Sequence, residues 1–240
     1  MKLAPKSTGS EARPFLVVPV KPSVGSKQRL AAQLPPDARR LVSRALASRM
    51  VRCVVEAWPV STAVVVGDDP EISELCARMG LATLPDAGAG QSEAVRVGQA
   101  WCLQRGAGTL ATVAADLPAA EPSDLARVLE LARALPPRCL TLIPDRAGSG
   151  TNGLILNPAD CDPFSFGPDS SRRHGEAAQR LGLEFRVVSL PNLAWDVDRL
   201  EDLVASGTAV GQAAHPVLAW AKGVADWERQ PHEEPNGDGG

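Results

Sequence analysis

Three carboxylates in two places are the groups of this chain best suited to hold a hard cation. Asp116 closes the run Leu110-Ala-Thr-Val-Ala-Ala-Asp116-Leu-Pro118, and Asp196 and Asp198 sit two apart in Trp195-Asp-Val-Asp198. Mg²⁺ takes oxygen ligands of this kind, commonly one or two carboxylates with substrate phosphates completing its shell. In extended backbone Asp196 and Asp198 point the same way, because strand side chains repeat every two residues. Each carboxylate also has a plainer reading as a helix cap, Asp116 for the helix that follows and Asp198 for Arg199 to Val204.

Anionic substrates need cations, and Lys21-Pro-Ser-Val-Gly-Ser-Lys27-Gln-Arg29-Leu30 supplies three of them in a turn-forming segment. A Walker loop requires G-x-x-x-x-G-K-S/T and a dinucleotide fold requires G-x-G-x-x-G. The single Gly25 before Ser26 and Lys27 satisfies neither, so both classes are excluded. Backbone N–H groups and ammonium ions in such a loop can still wrap a triphosphate, the alternative being a solvated basic turn.

Three further loops carry polar groups. Pro85-Asp-Ala-Gly-Ala-Gly90-Gln-Ser92-Glu93 lets a ligand approach the backbone and places Ser92 at a helix start, where a nucleotide base can dock. Pro144-Asp-Arg-Ala-Gly148-Ser-Gly150-Thr151-Asn152-Gly153 reads as an anion-binding nest or as a plain hairpin turn. In Phe166-Gly167-Pro-Asp-Ser170-Ser-Arg-Arg-His174, Gly167 permits a tight turn and Ser170 offers a hydroxyl near a helix start. His174 follows one helical turn later on the same face.

The elements that must position these groups alternate. Residues 14–20 read as a first strand and Pro35 to Val55 as an amphipathic helix. A strand over Thr62 to Gly67, a helix over Glu71 to Met79, a short strand at Leu81 to Leu84 and a helix from Ser92 to Leu103 lead to the central strand. Pro118 cannot donate to a sheet, so that strand is expected to stop near Asp116 and deliver the carboxylate to the sheet's carboxyl edge. A helix over Ala120 to Leu135, strands at Arg138 to Ile143, Leu154 to Leu156 and Glu184 to Leu190, a helix from Ser170 to Leu181 and a last helix over His215 to Asp226 complete the pattern. Such alternation predicts an α/β fold with a mostly parallel central sheet flanked by helices. One domain over residues 14–226 is expected, with a loose arm over 1–13 and a disordered tail over 227–240.

The 240 residues suffice for one full core, and a net charge of −3 offers no general attraction for nucleic acid or an acidic membrane. No apolar run approaches a membrane span and Met1 to Arg13 lacks a signal-peptide core, so a cytoplasmic location is expected. The five cysteines are scattered, with no C-x-x-C pair, and read as reduced and mostly buried.

Taken in order, Val18-Pro-Val-Lys-Pro22 with Lys27 and Arg29-Leu30, Ala115-Asp-Leu-Pro118, Pro144-Asp-Arg with Gly148 to Asn152, Phe166-Gly167-x-x-Ser170-x-x-x-His174 and Asp196-Val-Asp198 with Asp202-Leu203 resemble one family. It is the 2-phospho-L-lactate/phosphoenolpyruvate guanylyltransferase family of coenzyme F420 biosynthesis, and the resemblance runs from Phe15 to Leu203. It implies a single-domain nucleotidyltransferase fold of the glycosyltransferase A type. It also implies transfer of GMP from GTP to phosphoenolpyruvate, 2-phospho-L-lactate or 3-phosphoglycerate with release of pyrophosphate. By the same resemblance Thr151, Gly167 and Ser170 correspond to ligands of the phospho-acid, and Asp116 with Asp196 or Asp198 to the Mg²⁺ site. Lys21, Lys27 and Arg29 correspond to the triphosphate clamp, with Asp116, Lys21 and Lys27 as catalytic groups and Gly90 and Ser92 near the nucleotide. A downstream F420-assembling transferase is the implied protein partner. Where the family carries a Leu-Asn pair after the Gly-rich turn, this chain has Gln91-Ser92-Glu93, a departure that bears on guanine specificity more than on the reaction class. A molybdopterin-type nucleotidyltransferase and a catalytically silent nucleotide-binding protein are the alternative readings.

Overall fold

The computed structural model describes residues 13–20, 36–86, 88–197 and 202. The expected N-terminal arm up to residue 12, the helix over His215 to Asp226 and the C-terminal tail lie outside them.

Runs of β-branched and aliphatic residues form β1 (Pro14–Pro19), β2 (Ala63–Val66), β3 (Ala82–Leu84), β4 (Thr109–Val113), β5 (Cys139–Pro144), β6 (Thr151–Asn157) and β7 (Glu184–Val187). Between them lie α1 (Pro36–Ala57), α2 (Pro70–Arg78), α3 (Gln91–Leu103), α4 (Pro122–Arg133) and α5 (Ser170–Arg180). The strands make one sheet in the order β3-β2-β1-β4-β6-β5-β7, parallel throughout except for β6, which runs against both neighbours. The single-domain α/β architecture with a mostly parallel sheet is therefore as expected.

Alternation along the strands feeds two cores. Leu16, Val18, Ala63, Val65, Ala111 and Val113 face α1, α2 and α4, whereas Phe15, Val17, Val64, Val66 and Leu110 face α3 and α5. Helix α2 shows how local sequence sets a boundary: Asp69 caps it by accepting the Glu71 N–H at 3.0 Å, and Pro70 follows in the first turn. The Arg44 guanidinium on α1 binds Asp69 Oδ2 at 2.7 Å and also pairs with Glu71, tying the two helices.

After β3 the chain returns across the sheet, and β4 lies on the other side of β1. That reversal puts a switch point between the carboxyl ends of β1 and β4, where open α/β sheets bind ligands. Because β6 is antiparallel, its first residue, Thr151, lies at the same edge. Among the described residues no helix is long and apolar enough to cross a membrane. The cysteines are free, with Cys53, Cys76, Cys102 and Cys139 buried and Cys161 partly so.

Gly98 allows α3 to lie directly on β1. A Cβ there would lie 2.8 Å from Val17 Cγ2 and nearer still to Cγ1, on a central strand with no room to move. Gly98→Val should therefore lower stability by about 3 kcal/mol through overpacking. Urea unfolding would check this, and an unchanged midpoint would contradict it.

Candidate active site

Strand β4 ends at Val113, three residues before Asp116 and earlier than expected. The backbone nevertheless continues along β6 for one more bond, Ala114 N–H to Asn152 C=O at 2.8 Å, before Asp116 projects beyond the sheet. The Val197 N–H donates to the Asp116 carbonyl at 3.3 Å, which brings Asp196 beside Asp116. The cap reading of Asp116 does not hold, since α4 begins at Pro122 with Glu121 as its cap residue. Asp198 lies outside the described residues, as do Lys21, Lys27 and Arg29.

Asp116 and Asp196 line a cavity of about 420 Å³ together with Thr151, Gly167 and Ser170. The structure thus places five of the residues named from sequence around one space. Among the described residues no three His, Cys, Asp or Glu side chains converge tightly enough to hold a metal by themselves. Asp116 and Asp196 beside this cavity are nonetheless donors of the kind Mg²⁺ takes when substrate oxygens complete its shell. A second cavity, of about 480 Å³, lies at the amino edge of the sheet near Arg13, Pro14 and Pro59, away from these carboxylates.

The loop between β5 and β6 is a hairpin connection with a defined interior. Asp145 Oδ1 accepts the Gly150 N–H at 2.9 Å, and a Cβ at Gly150 would lie 2.7 Å from Asp145 Oδ2. Asn152 also lines the cavity, and its buried amide donates to the Leu193 carbonyl at 2.9 Å and so braces the segment leading to Asp196. Arg146 stacks over the Trp195 ring at 4.3 Å, a second tie between the loop and that segment.

The Gly-rich turn is tied to the opposite loop. Ser92 Oγ accepts the Phe166 N–H at 3.0 Å, and Arg96 donates to Asp162 at 2.8 Å and to the Phe164 carbonyl at 3.0 Å. Gln91 rather than Gly90 or Ser92 lines the cavity, while Gly90, at φ 96°, sets the entry into α3. Arg96 escaped sequence reading, whereas Gln91 was noted there as part of the departure Gln91-Ser92-Glu93. The only local sign of Arg96 was its spacing of three from Glu93, and its main partners are more than sixty residues away.

At the start of α5, Ser170 and His174 share a buried face as their spacing predicted. Ser170, itself part of the cavity lining, has its Oγ 2.9 Å from Thr151 Oγ1, and its N–H donates to the Gly167 carbonyl at 3.1 Å. His174 is fully buried, with Nδ1 3.0 Å from Thr151 Oγ1 and Nε2 accepting the Ser165 N–H at 3.0 Å. Burial, reinforced by the Arg173 charge and opposed by the Ser170 carbonyl, pushes the imidazole down to about 4, so it is neutral at neutral pH.

Residues 15–206 match the family model described as guanylyl transferase CofC like. A phosphoenolpyruvate guanylyltransferase from Rubrobacter xylanophilus is 42% identical over 189 residues, covering 79% of this chain and 91% of the relative. A 3-phospho-D-glycerate guanylyltransferase from Colwellia psychrerythraea is 28% identical over 191 residues, covering 80% and 90%. A solved nucleotidyl transferase from Methanothermobacter has a TM-score of 0.58 at 15% identity, over 84% of this chain and 98% of that one, a likeness of fold alone.

The depressed imidazole predicts a pH dependence. Its pKa is lower folded than unfolded, so between 6.5 and about 4 the unfolded chain binds more protons and stability falls as pH falls. The loss from this residue should reach about 2 kcal/mol between about pH 7 and about pH 5. Denaturant unfolding at both values should show the drop in the wild type and a smaller one in His174→Gln; equal drops would contradict the assignment.

Proposed function

The chain belongs to the CofC-like guanylyl transferase family, and from that premise we propose that it moves GMP from GTP to the phosphate of phosphoenolpyruvate. The observation that carries this reading is the single cavity in which the Thr151 hydroxyl and the start of α5 face Asp116 and Asp196. Hydroxyl and helix start suit an anionic acceptor, and the carboxylates suit the cation that accompanies a triphosphate.

In the reaction an oxygen of the acceptor phosphate attacks the α-phosphorus of GTP. A new P–O–P linkage forms, the bond from the α-phosphorus to the β-bridging oxygen breaks, and its electron pair leaves with pyrophosphate. The attacking oxygen is already ionised, so no general base is needed and positioning supplies the catalysis. Thr151 would orient the acceptor acid, and Lys21, Lys27 and Arg29, which follow β1 in sequence, would clamp the triphosphate. Asp116 and Asp196, with Asp198 as a further carboxylate, would hold Mg²⁺. Bound there, the ion would screen the repulsion between the two phosphates. The product would serve coenzyme F420 biosynthesis, passing to an F420-assembling transferase.

Asp116→Asn should reduce pyrophosphate release from GTP and phosphoenolpyruvate by about a hundredfold or more with the fold intact by circular dichroism. Chelation of Mg²⁺ should stop the wild type and added Mg²⁺ should restore it. Near-normal turnover of folded Asp116→Asn would contradict the role of this carboxylate.

A further inference from the structure

The buried polar side chains at the cavity form one ordered chain whose direction can be worked out atom by atom. A backbone N–H can only donate, so the Ser165 N–H, 3.0 Å from His174 Nε2, requires that nitrogen to be unprotonated. A neutral imidazole with a bare Nε2 carries its proton on Nδ1, which therefore donates to Thr151 Oγ1 at 3.0 Å. Ser170 Oγ lies 2.9 Å from the same oxygen and, with its proton turned toward Thr151, fills the second lone pair. A hydroxyl oxygen has two lone pairs, and both are now occupied, leaving Thr151 only its own proton to offer. Thr151 lines the cavity, so that proton is what it has left to offer a ligand there.

We propose that His174 is a positioning residue that makes Thr151 a donor-only contact, so that the acceptor site selects a group presenting oxygen lone pairs and no hydrogen. A carboxylate or phosphate oxygen fits that requirement. A carboxamide NH₂ or an alcohol O–H directed at Thr151 meets a second donor and is rejected. The assignment rests on the reading that Thr151 contacts the acceptor acid. It adds a residue that touches neither substrate and a stated polarity for the one that does.

The geometry also separates the two halves of the imidazole. An Asn at position 174 can place an amide N–H where Nδ1 donates to Thr151, but cannot reach the Ser165 N–H. A Gln can place its carbonyl where Nε2 accepts, but has no donor for Thr151. If the role is positioning, the Nδ1 half matters for the acceptor; if it is structural only, the two variants weaken the protein without distinguishing its substrates.

The experiment is pyrophosphate release from wild type, His174→Asn and His174→Gln, varying phosphoenolpyruvate and GTP separately, with thermal unfolding of each. The expected result is a rise in KM for phosphoenolpyruvate of about tenfold in His174→Gln, with KM for GTP changed by less than about twofold, and rescue in His174→Asn. A folded His174→Gln with unchanged acceptor KM would overturn the assignment. So would a His174→Asn acceptor KM raised as far as that of His174→Gln, or loss of the fold in both variants. Silence of the wild type with every nucleotide and acid would instead overturn the proposed function, and this assignment with it.

Discussion

The Ser165 N–H has no choice of role, and much of the site's order follows from that. It sits against a fully buried imidazole, so the ring must accept there and donate at the other nitrogen. In a low-dielectric interior a wrong proton placement would set two donors face to face, a cost no nearby water could relieve. That bond fixes the ring's tautomer, and with the contacts of His174 and Ser170 to Thr151 it couples the first residue of β6 to α5 and ties both to the loop ahead of that helix.

Topology brings these parts to one edge. The return of the chain after β3 opens the crevice between β1 and β4, and the single antiparallel strand, β6, delivers Thr151 beside Asp116. Asn152, the next residue, points to the other side of the strand and braces the segment carrying Asp196. Adjacent residues on one strand thus line the same cavity, one bonded to α5 and the other to the segment carrying Asp196. Ser92 and Arg96 extend the connection to the start of α3, so the Gly-rich turn before α3 and the loop ahead of α5 are tied together.

The strand order and the antiparallel run of β6 were not read from the sequence, but the layering of the fold was, because strand alternation and helix periodicity are local signals. The Ser170 and His174 pairing was legible for the same reason, being one turn apart on a helix. Asp116 was recognisable from Pro118, although β4 stops at Val113, and the Ala114 bond that carries the pairing one residue further comes from Asn152 on a strand not adjacent in sequence. The bonds of Ser92 to Phe166 and of Asn152 to Leu193 were not legible: they span 74 and 41 residues, and no spacing rule encodes them. For Asn152 the composition of its loop was visible in the sequence and its buried partner was not.

The most direct test is nitrogen-15 NMR of the His174 ring through a pH titration, with His174→Asn used to assign its signals. The account predicts one neutral tautomer with the proton on Nδ1 from about pH 8 to about pH 5, protonating only near about 4. A ring that titrates near 6.5, or that carries its proton on Nε2 at neutral pH, would contradict it.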